Sequence, residues 1–215
     1  MTRITGIVFD MDGLLLDSER LYLAAFRDTQ ATLGLPPGDD LFRQTVGTNE
    51  ATCQGILQTA MGPAADAFHR LWRQKAATLL SAPIPLKPTV ATCLHRLCAE
   101  GMPIAVATST HRATARARLD NAGIGDHLPT LVAGDQVTQG KPHPEIFLAA
   151  AQQLGLPPEA CAAFEDSASG VRAAVAAGMV VTQIPDIVPP TDTLRALGHA
   201  VAPDLLTGLT RLGVL

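Results

Sequence analysis

The sequence predicts an α/β fold, a doubly wound parallel sheet with a helical block inserted after its first strand. Three observations lead there. Short β-prone runs alternate with helical patterns along most of the chain, as they do when crossover helices join parallel strands. These runs are apolar on both faces instead of alternating, which suits strands covered by helices on each side. One interval, from about residue 15 to 82, holds helical patterns and no convincing strand. The chain of 215 residues has room for one full domain and a smaller one.

Strands are expected over residues 4–9, 104–107, 131–133, 162–164 and 180–184. The helix expected over 89–100 carries Val90, Leu94, Leu97 and Cys98 on one stripe, with Gly101 placed to end it. Over 145–154 the stripe is Ile146, Phe147, Ala150, Ala151 and Leu154. Further helices are expected from about Arg112 and over 170–177, where an alanine run allows close packing. Inside the strand-free interval the helical candidates are 19–33, 50–61 and 64–80. Pro36-Pro37-Gly38 and Gly62-Pro63 punctuate them, and Pro83, Pro85 and Pro88 close the block, so two stiff linkers are expected to join it to the sheet.

Composition narrows the function classes. At 47% hydrophobic and 17% charged, with 18 glycines and 16 prolines spread along it, the chain is globular. Sixteen Lys and Arg against twenty Asp and Glu give a net charge of −4, which disfavours duplex DNA or an anionic membrane as main partner. No apolar run approaches the ~18 residues of a spanning helix. The N-terminal apolar stretch, residues 7–9, is cut off by Asp10 and Asp12, so no export signal is read and a cytoplasmic protein is expected. The four cysteines, at 53, 93, 98 and 161, have no CxxC spacing and are expected to be buried thiols. The six histidines show no metal-ligand spacing, and Trp72 is expected in the core of the helical block.

Four short motifs carry the chemistry. The first strand runs into Phe9-Asp10-Met11-Asp12-Gly13, two carboxylates at the carboxyl end of a strand, where ligands of open α/β sheets bind; a polar Asp-Gly turn is the plainer alternative. The second strand ends in Thr108-Ser109-Thr110 before a helix, a place for a phosphate or an ordinary helix cap. Lys141 sits in Gly140-Lys141-Pro142-His143-Pro144-Glu145, where two prolines restrain its backbone, although an exposed lysine fits the same string. Phe164-Glu165-Asp166-Ser167 again puts acids at a strand end, with helix capping as the alternative. Because each motif follows a strand, all four can meet along one sheet edge. Carboxylates, hydroxyls and a lysine are the parts of a magnesium-assisted phosphoryl transfer, and a hard cation would let a phosphate approach the acids.

In order and spacing, Asp10-x-Asp12-Gly13, Thr108, Lys141 and Glu165-Asp166 resemble the four motifs of the haloacid dehalogenase superfamily. The longer string from Phe9 to Glu19 resembles its subgroup with a helical cap after the first motif, which includes β-phosphoglucomutase and small phosphatases acting on sugar phosphates or phosphoglycolate. The resemblance implies a Rossmann-like core, residues 1–14 and 88–215, and a helical cap, residues 15–87, whose linkers are hinges. It implies Asp10 as nucleophile, Asp12 as general acid and base, and Thr108, Ser109 and Lys141 as holders of the phosphoryl oxygens. Mg2+ is expected on the Asp10 and Asp166 carboxylates and the Asp12 carbonyl, with Glu165 behind them or on a bound water. Gly13 would let the chain turn past the phosphate, and Glu19 is a candidate substrate contact.

The expected partner is a small phosphorylated metabolite, and the chain is expected to be a monomer or small homo-oligomer. The cap departs from the mutase pattern: Tyr22 stands where the mutases carry a histidine, and the stretch Val46-Gly47-Thr48-Asn49-Glu50 lacks their phosphate-gripping arginine. Arg20, Arg43, Arg70, Arg73 and Lys75 are other cap cations, and Asn49 and Lys75 are further candidate contacts. The reading is therefore a Mg2+-dependent phosphatase, with a sugar phosphomutase and a non-catalytic phosphate-binding regulator as alternatives. Asp12 argues against halide displacement.

Overall fold

Strand β1 (Gly6–Phe9) has all four residues buried, and consecutive side chains feed two different cores. The computed structural model describes residues 3–48 and 50–215, so Asn49 lies outside the described residues. Five more strands follow: β2 (Ile104–Thr108), β3 (Thr130–Ala133), β4 (Cys161–Glu165), β5 (Val180–Gln183) and β6 (Ala200–Val201). All pair in parallel, in the spatial order β3-β2-β1-β4-β5-β6. Ile7, Phe9, Val106 and Leu131 face one side. There they meet α5 (Val90–Ala99), α6 (Arg112–Asn121) and α10 (Leu205–Arg211) through residues such as Leu94, Leu119 and Leu209. Val8, Ala105, Ala107 and Ala163 face the other side, against α7 (Glu145–Leu154) and α8 (Ala168–Ala176). Helices on both faces explain why the strands read as unbroken apolar runs. Chain order reverses between β1 and β4, which places a crevice at their carboxyl ends.

Between β1 and α5 the chain forms α1 (Ser18–Thr32), α2 (Asp40–Thr45), α3 (Glu50–Met61) and α4 (Ala65–Leu80). Phe26 is the centre of this block. Its ring lies 5.6 Å from Phe42, 4.9 Å from Phe68 and 5.2 Å from Trp72, all edge-on, a geometry favoured by ring quadrupoles. Trp72 donates its indole N–H to the Tyr22 carbonyl (2.9 Å), so it serves the block's core as expected. Lys75 ties α4 to α1 through Asp28 (2.6 Å) and Thr32 (2.7 Å). The two linkers run side by side: Asp17 N–H donates to Pro85 (2.8 Å) and Lys87 N–H to Leu15 (3.0 Å). The Lys87 ammonium also reaches Asp186, beyond β5, at 2.5 Å.

Several elements differ from expectation. The first strand begins at Gly6, and α2, α9 (Asp192–Arg195), α10 and the two-residue β6 were not foreseen. Elements of two to seven residues are too short to display a period. Cys53, Cys93 and Cys161 are buried, but Cys98 is exposed. The buried stripe of α5 is Val90, Cys93, Leu94 and Leu97, and Cys98 lies ~40° past Leu94, beyond the edge of that stripe. Leu154 is only half-buried at the end of α7. Among the described residues no helix is long and apolar enough to cross a membrane.

Phe26 is fully buried with three ring neighbours, so Phe26→Ala is expected to cost about 3–5 kcal/mol. Urea denaturation followed by Trp72 fluorescence checks this.

Candidate active site

Pairing of β1 with β4 sets Phe9 opposite Phe164, and the next amide, Asp10 N–H, donates to the Phe164 carbonyl at 3.0 Å. Asp10 therefore emerges beside Glu165 and Asp166. One carboxylate oxygen from each of the three lies within 4.8 Å of the others, and all three residues are buried. Lys141, from the loop before α7, enters this group with all three ammonium protons used. It donates to Asp10 Oδ1 (2.5 Å), Glu165 Oε1 (2.6 Å) and the Ala107 carbonyl (3.0 Å). Its ammonium also lies 5.0 Å from the centre of the Phe147 ring.

Glu165 is committed to protein donors on both oxygens. Oε2 accepts from Ser167 N–H (2.8 Å) and Ser167 Oγ (2.9 Å), fastening the start of α8. A Cβ on Gly170 would lie 1.6 Å from Oε1, so the arrangement needs glycine there. Gly13, at φ +86°, has the same kind of constraint: a Cβ would fall 2.4 Å from Asp166 Oδ2 and 3.2 Å from Glu19 Cγ.

Asp12 is near the acidic group, but its carboxylate has other partners. Thr110 Oγ1 donates to Oδ2 (2.8 Å) and Arg118 Nη1 to Oδ1 (3.0 Å). Thr108 ends β2 fully buried; its Oγ1 accepts from Thr110 N–H (3.1 Å), which leaves the hydroxyl proton free to be donated. Ser109 is exposed on the same loop, which Gly134 braces: its N–H donates to the Thr110 carbonyl at 3.1 Å.

Burying so many acids has an electrostatic consequence. Desolvation first, then repulsion from Glu165 and Asp12, raises the Asp10 carboxyl to about 8 although Lys141 opposes the shift. Burial and the charges of Glu165, Asp10 and Glu19 push Asp166 up as well. Glu19 is raised to about 8 by burial and by Asp12, Asp186 and Asp10, with Arg118 opposing. Burial alone would lower Lys141, but the Asp10 and Glu165 charges win and raise it above the ordinary lysine range. One ammonium does not balance three carboxylates, and a cluster of hard oxygens short of positive charge is the donor set that suits a divalent cation such as Mg2+.

The sheet edge and the helical block enclose a cavity of about 540 Å³, within the range of small-molecule sites. Asp10, Asp12, Thr108, Ser109, Lys141, Glu165, Asp166 and Glu19 all line it. From the block come Tyr22, Trp72, Arg73 and the turn around Gly47, whose carbonyl accepts from Ser169 Oγ. Of the proposed cap cations, Arg73 lines the cavity, whereas Arg20 pairs with Asp17 and Lys75 with Asp28. His111 lines it with its side chain 81% exposed, and His143 instead accepts from Glu145 N–H at the start of α7 (3.3 Å).

Two site residues escaped the sequence reading, Thr110 as a partner of Asp12 and Arg118 altogether. A signal for Arg118 existed: it falls on the same face of α6 as Ala115 and Leu119, the buried stripe of that helix. An arginine on an apolar stripe needs a partner.

Comparison with known proteins assigns the family. The model of the haloacid dehalogenase-like hydrolases matches residues 4–178. The chain belongs to this family. It is 35% identical over 176 residues to the phosphorylated carbohydrates phosphatase of Thermotoga maritima, covering 81% of this chain and 82% of that one. It is 33% identical over 185 residues to the fructose-1-phosphate phosphatase YqaB of Escherichia coli, covering 82% and 94%. Among solved structures, a variant of CbbY from Rhodobacter sphaeroides in complex with xylulose-(1,5)bisphosphate superposes with a TM-score of 0.69 at 28% identity, covering 86% of this chain and 87% of that one. A family hydrolase from Deinococcus radiodurans shares the fold at 24% identity, with a TM-score of 0.83 over 100% and 99% of the two chains.

The raised carboxyls fix how stability depends on pH. A carboxyl whose folded value is raised is neutral in both states at low pH and penalises the folded state once it must ionise. In EDTA the protein is expected to lose stability as pH climbs from about 4, the ordinary carboxylate value, to about 8, where Asp10 titrates. Lys141→Met should remove a further 3–5 kcal/mol or so at the upper end. Thermal denaturation across that window measures both.

Proposed function

We propose that this hydrolase is a phosphatase that removes phosphate from a small phosphomonoester, a sugar phosphate or phosphoglycolate-like compound, through an aspartyl-phosphate on Asp10. One observation carries the reading: Asp10 sits against Lys141 in the acidic group, while a second carboxylate, Asp12, faces the same cavity from outside that group. In this reading one carboxylate attacks and the other moves protons. The relatives named for phosphorylated carbohydrates and for fructose 1-phosphate support a phosphorylated, sugar-like substrate.

In this reading Asp10 attacks phosphorus in line with the ester oxygen while Lys141 lowers the repulsion between carboxylate and phosphate. The Thr108 hydroxyl and the Ser109 N–H donate to the phosphoryl oxygens and gain strength as charge shifts onto them. Asp12 gives a proton to the leaving alcohol and then takes one from the water that cleaves the aspartyl-phosphate, since both occupy the same side of phosphorus. Asp10, Asp166 and the Asp12 carbonyl would hold Mg2+, with Glu165 holding Lys141 and the start of α8 behind them. Bound there, Mg2+ supplies the positive charge that the three carboxylates lack. Glu19 and Gly13 border the substrate.

The division into a core of residues 1–14 and 88–215 and a cap of residues 15–87, hinged at the paired linkers, belongs to the same proposal: closure of the cap excludes bulk water from the cavity. A cytoplasmic enzyme acting on a small phosphorylated metabolite accords with the charge and composition. The mutase reading rests on Arg73, a cap cation lining the cavity. Its nearest charged partner is Glu50 at 3.9 Å, and a bisphosphate intermediate would need that cation for its second phosphate. A purely regulatory binder has no use for an acid at Asp12.

The test is phosphate release from a panel of small phosphomonoesters, with Mg2+ and with EDTA, by the wild type and Asp10→Asn. Release that requires Mg2+ and falls to background in Asp10→Asn is expected; no release from any ester by the folded protein sinks the reading. Mg2+ is also expected to raise the midpoint of thermal unfolding, by about 2.7 kcal/mol of added stability at a hundred times its Kd, and Asp166→Asn should abolish that rise.

A further inference from the structure

Arg118 has no part in the four motifs, yet it hydrogen-bonds both Asp12 of the catalytic loop and Tyr22 of the cap. It projects from the buried face of α6 with its side chain 10% exposed. Nη1 donates to Asp12 Oδ1 (3.0 Å) and Nη2 to the Tyr22 hydroxyl (3.2 Å), and the guanidinium carbon lies 5.9 Å from the centre of the Tyr22 ring. As a space-filler on an apolar stripe, arginine is a poor choice, because a hydrophobic side chain would fill the slot without the desolvation of a charge. Its position makes sense through what it holds.

Asp12 stands in a turn beyond β1, and regular structure does not fix its side-chain torsions. One donor would fix a distance and leave the carboxylate free to rotate. Two donors on different oxygens, Thr110 on Oδ2 and Arg118 on Oδ1, fix its plane. Thr110 belongs to the loop that carries Thr108 and Ser109, so that plane is set relative to the phosphate position. The second nitrogen of Arg118 faces the cap. Tyr22 lies on α1, close after the first linker, and its carbonyl accepts from Trp72 in the aromatic core of the cap. When α1 moves, Tyr22 moves with it.

We propose that Arg118 is the positioning residue for Asp12, aiming its carboxylate at the leaving-group oxygen and coupling that aim to the docked cap through the Tyr22 hydroxyl. The proposal deepens the phosphatase reading and rests on it. Arg118 also lines the cavity, but the two hydrogen bonds of its terminal nitrogens go to Asp12 and Tyr22. Its proposed role therefore runs through Asp12, and the experiment separates that role from a direct grip on substrate. Aim is needed most where the leaving alcohol is a strong base, since a weakly basic phenol departs with little help from an acid.

The experiment compares phenyl phosphate with p-nitrophenyl phosphate, two esters of similar size whose leaving groups differ in basicity. In Arg118→Ala, kcat/KM for phenyl phosphate is expected to fall about 10- to 100-fold, part of the range a positioned acid contributes. For p-nitrophenyl phosphate it should fall less than about threefold. Arg118→Lys should recover part of the loss. Tyr22→Phe keeps the ring and removes only the hydroxyl anchor; it should show the same selectivity at a smaller size, about threefold on phenyl phosphate, and it carries the test if Arg118→Ala does not fold. Equal losses on both esters, or a rise in KM with kcat unchanged, overturn the proposal, because they mean that Arg118 serves phosphate binding or the fold. A wild type that hydrolyses neither ester with Mg2+ present overturns the phosphatase reading itself, which is a different result.

Discussion

The hydrogen bond from Asp10 N–H to the Phe164 carbonyl, where β1 passes β4, is the contact on which the rest of the site depends. It continues the parallel pairing by one step past the end of the strand, so a residue on each chain emerges at the same level. Three carboxylates then share one small volume, and their desolvation and mutual repulsion are what Lys141 answers. Lys141 arrives from another crossover, between β3 and β4, and needs the carboxyl end of β2 for its third hydrogen bond. One buried ammonium thereby draws in three strands. Its charge is still less than theirs, so the site is built with a deficit of positive charge that favours a divalent cation and, after it, an anionic ligand.

Steric detail protects this arrangement. Gly13 and Gly170 stand where a methyl group would collide with Asp166 and Glu165, so the acids approach the backbone as closely as they do only because no Cβ intervenes. Glu165 shows how one side chain links two jobs: one oxygen orients Lys141 and the other holds Ser167, the residue that caps α8. The helix start and the lysine are in register because they share a carboxylate.

The apolar cluster that holds Phe26, Phe42, Phe68 and Trp72 also holds Ile7, Phe9, Met11 and Leu14, and polar contacts join the helical block to the sheet domain as well. Ser169 meets the Gly47 carbonyl, Arg118 meets Tyr22, and Lys87 in the second linker meets Asp186. The cavity between the two parts takes its acids and its lysine from the core and most of its aromatic lining from the cap.

The sequence by itself determined the class of fold, the place of the helical block and the four motifs, because each of these is local. A run apolar on both faces means a covered strand, a 3.6-residue period means a helix face, and acids just past a strand end mark a crevice whatever the rest of the chain does. Cys98 marks the limit of such reasoning, lying one residue beyond the buried stripe of α5. Only the tertiary structure decided which groups face each other. It turned both oxygens of Glu165 toward protein donors, directed the Asp12 carboxylate to Thr110 and Arg118, and left Arg73 as the proposed cap cation that lines the cavity while Lys75 braces the cap from within. Arg118 and Asp12 are 106 positions apart in the chain. No local pattern encodes their meeting, which follows from the packing of α6 on the sheet and of the cap over its edge.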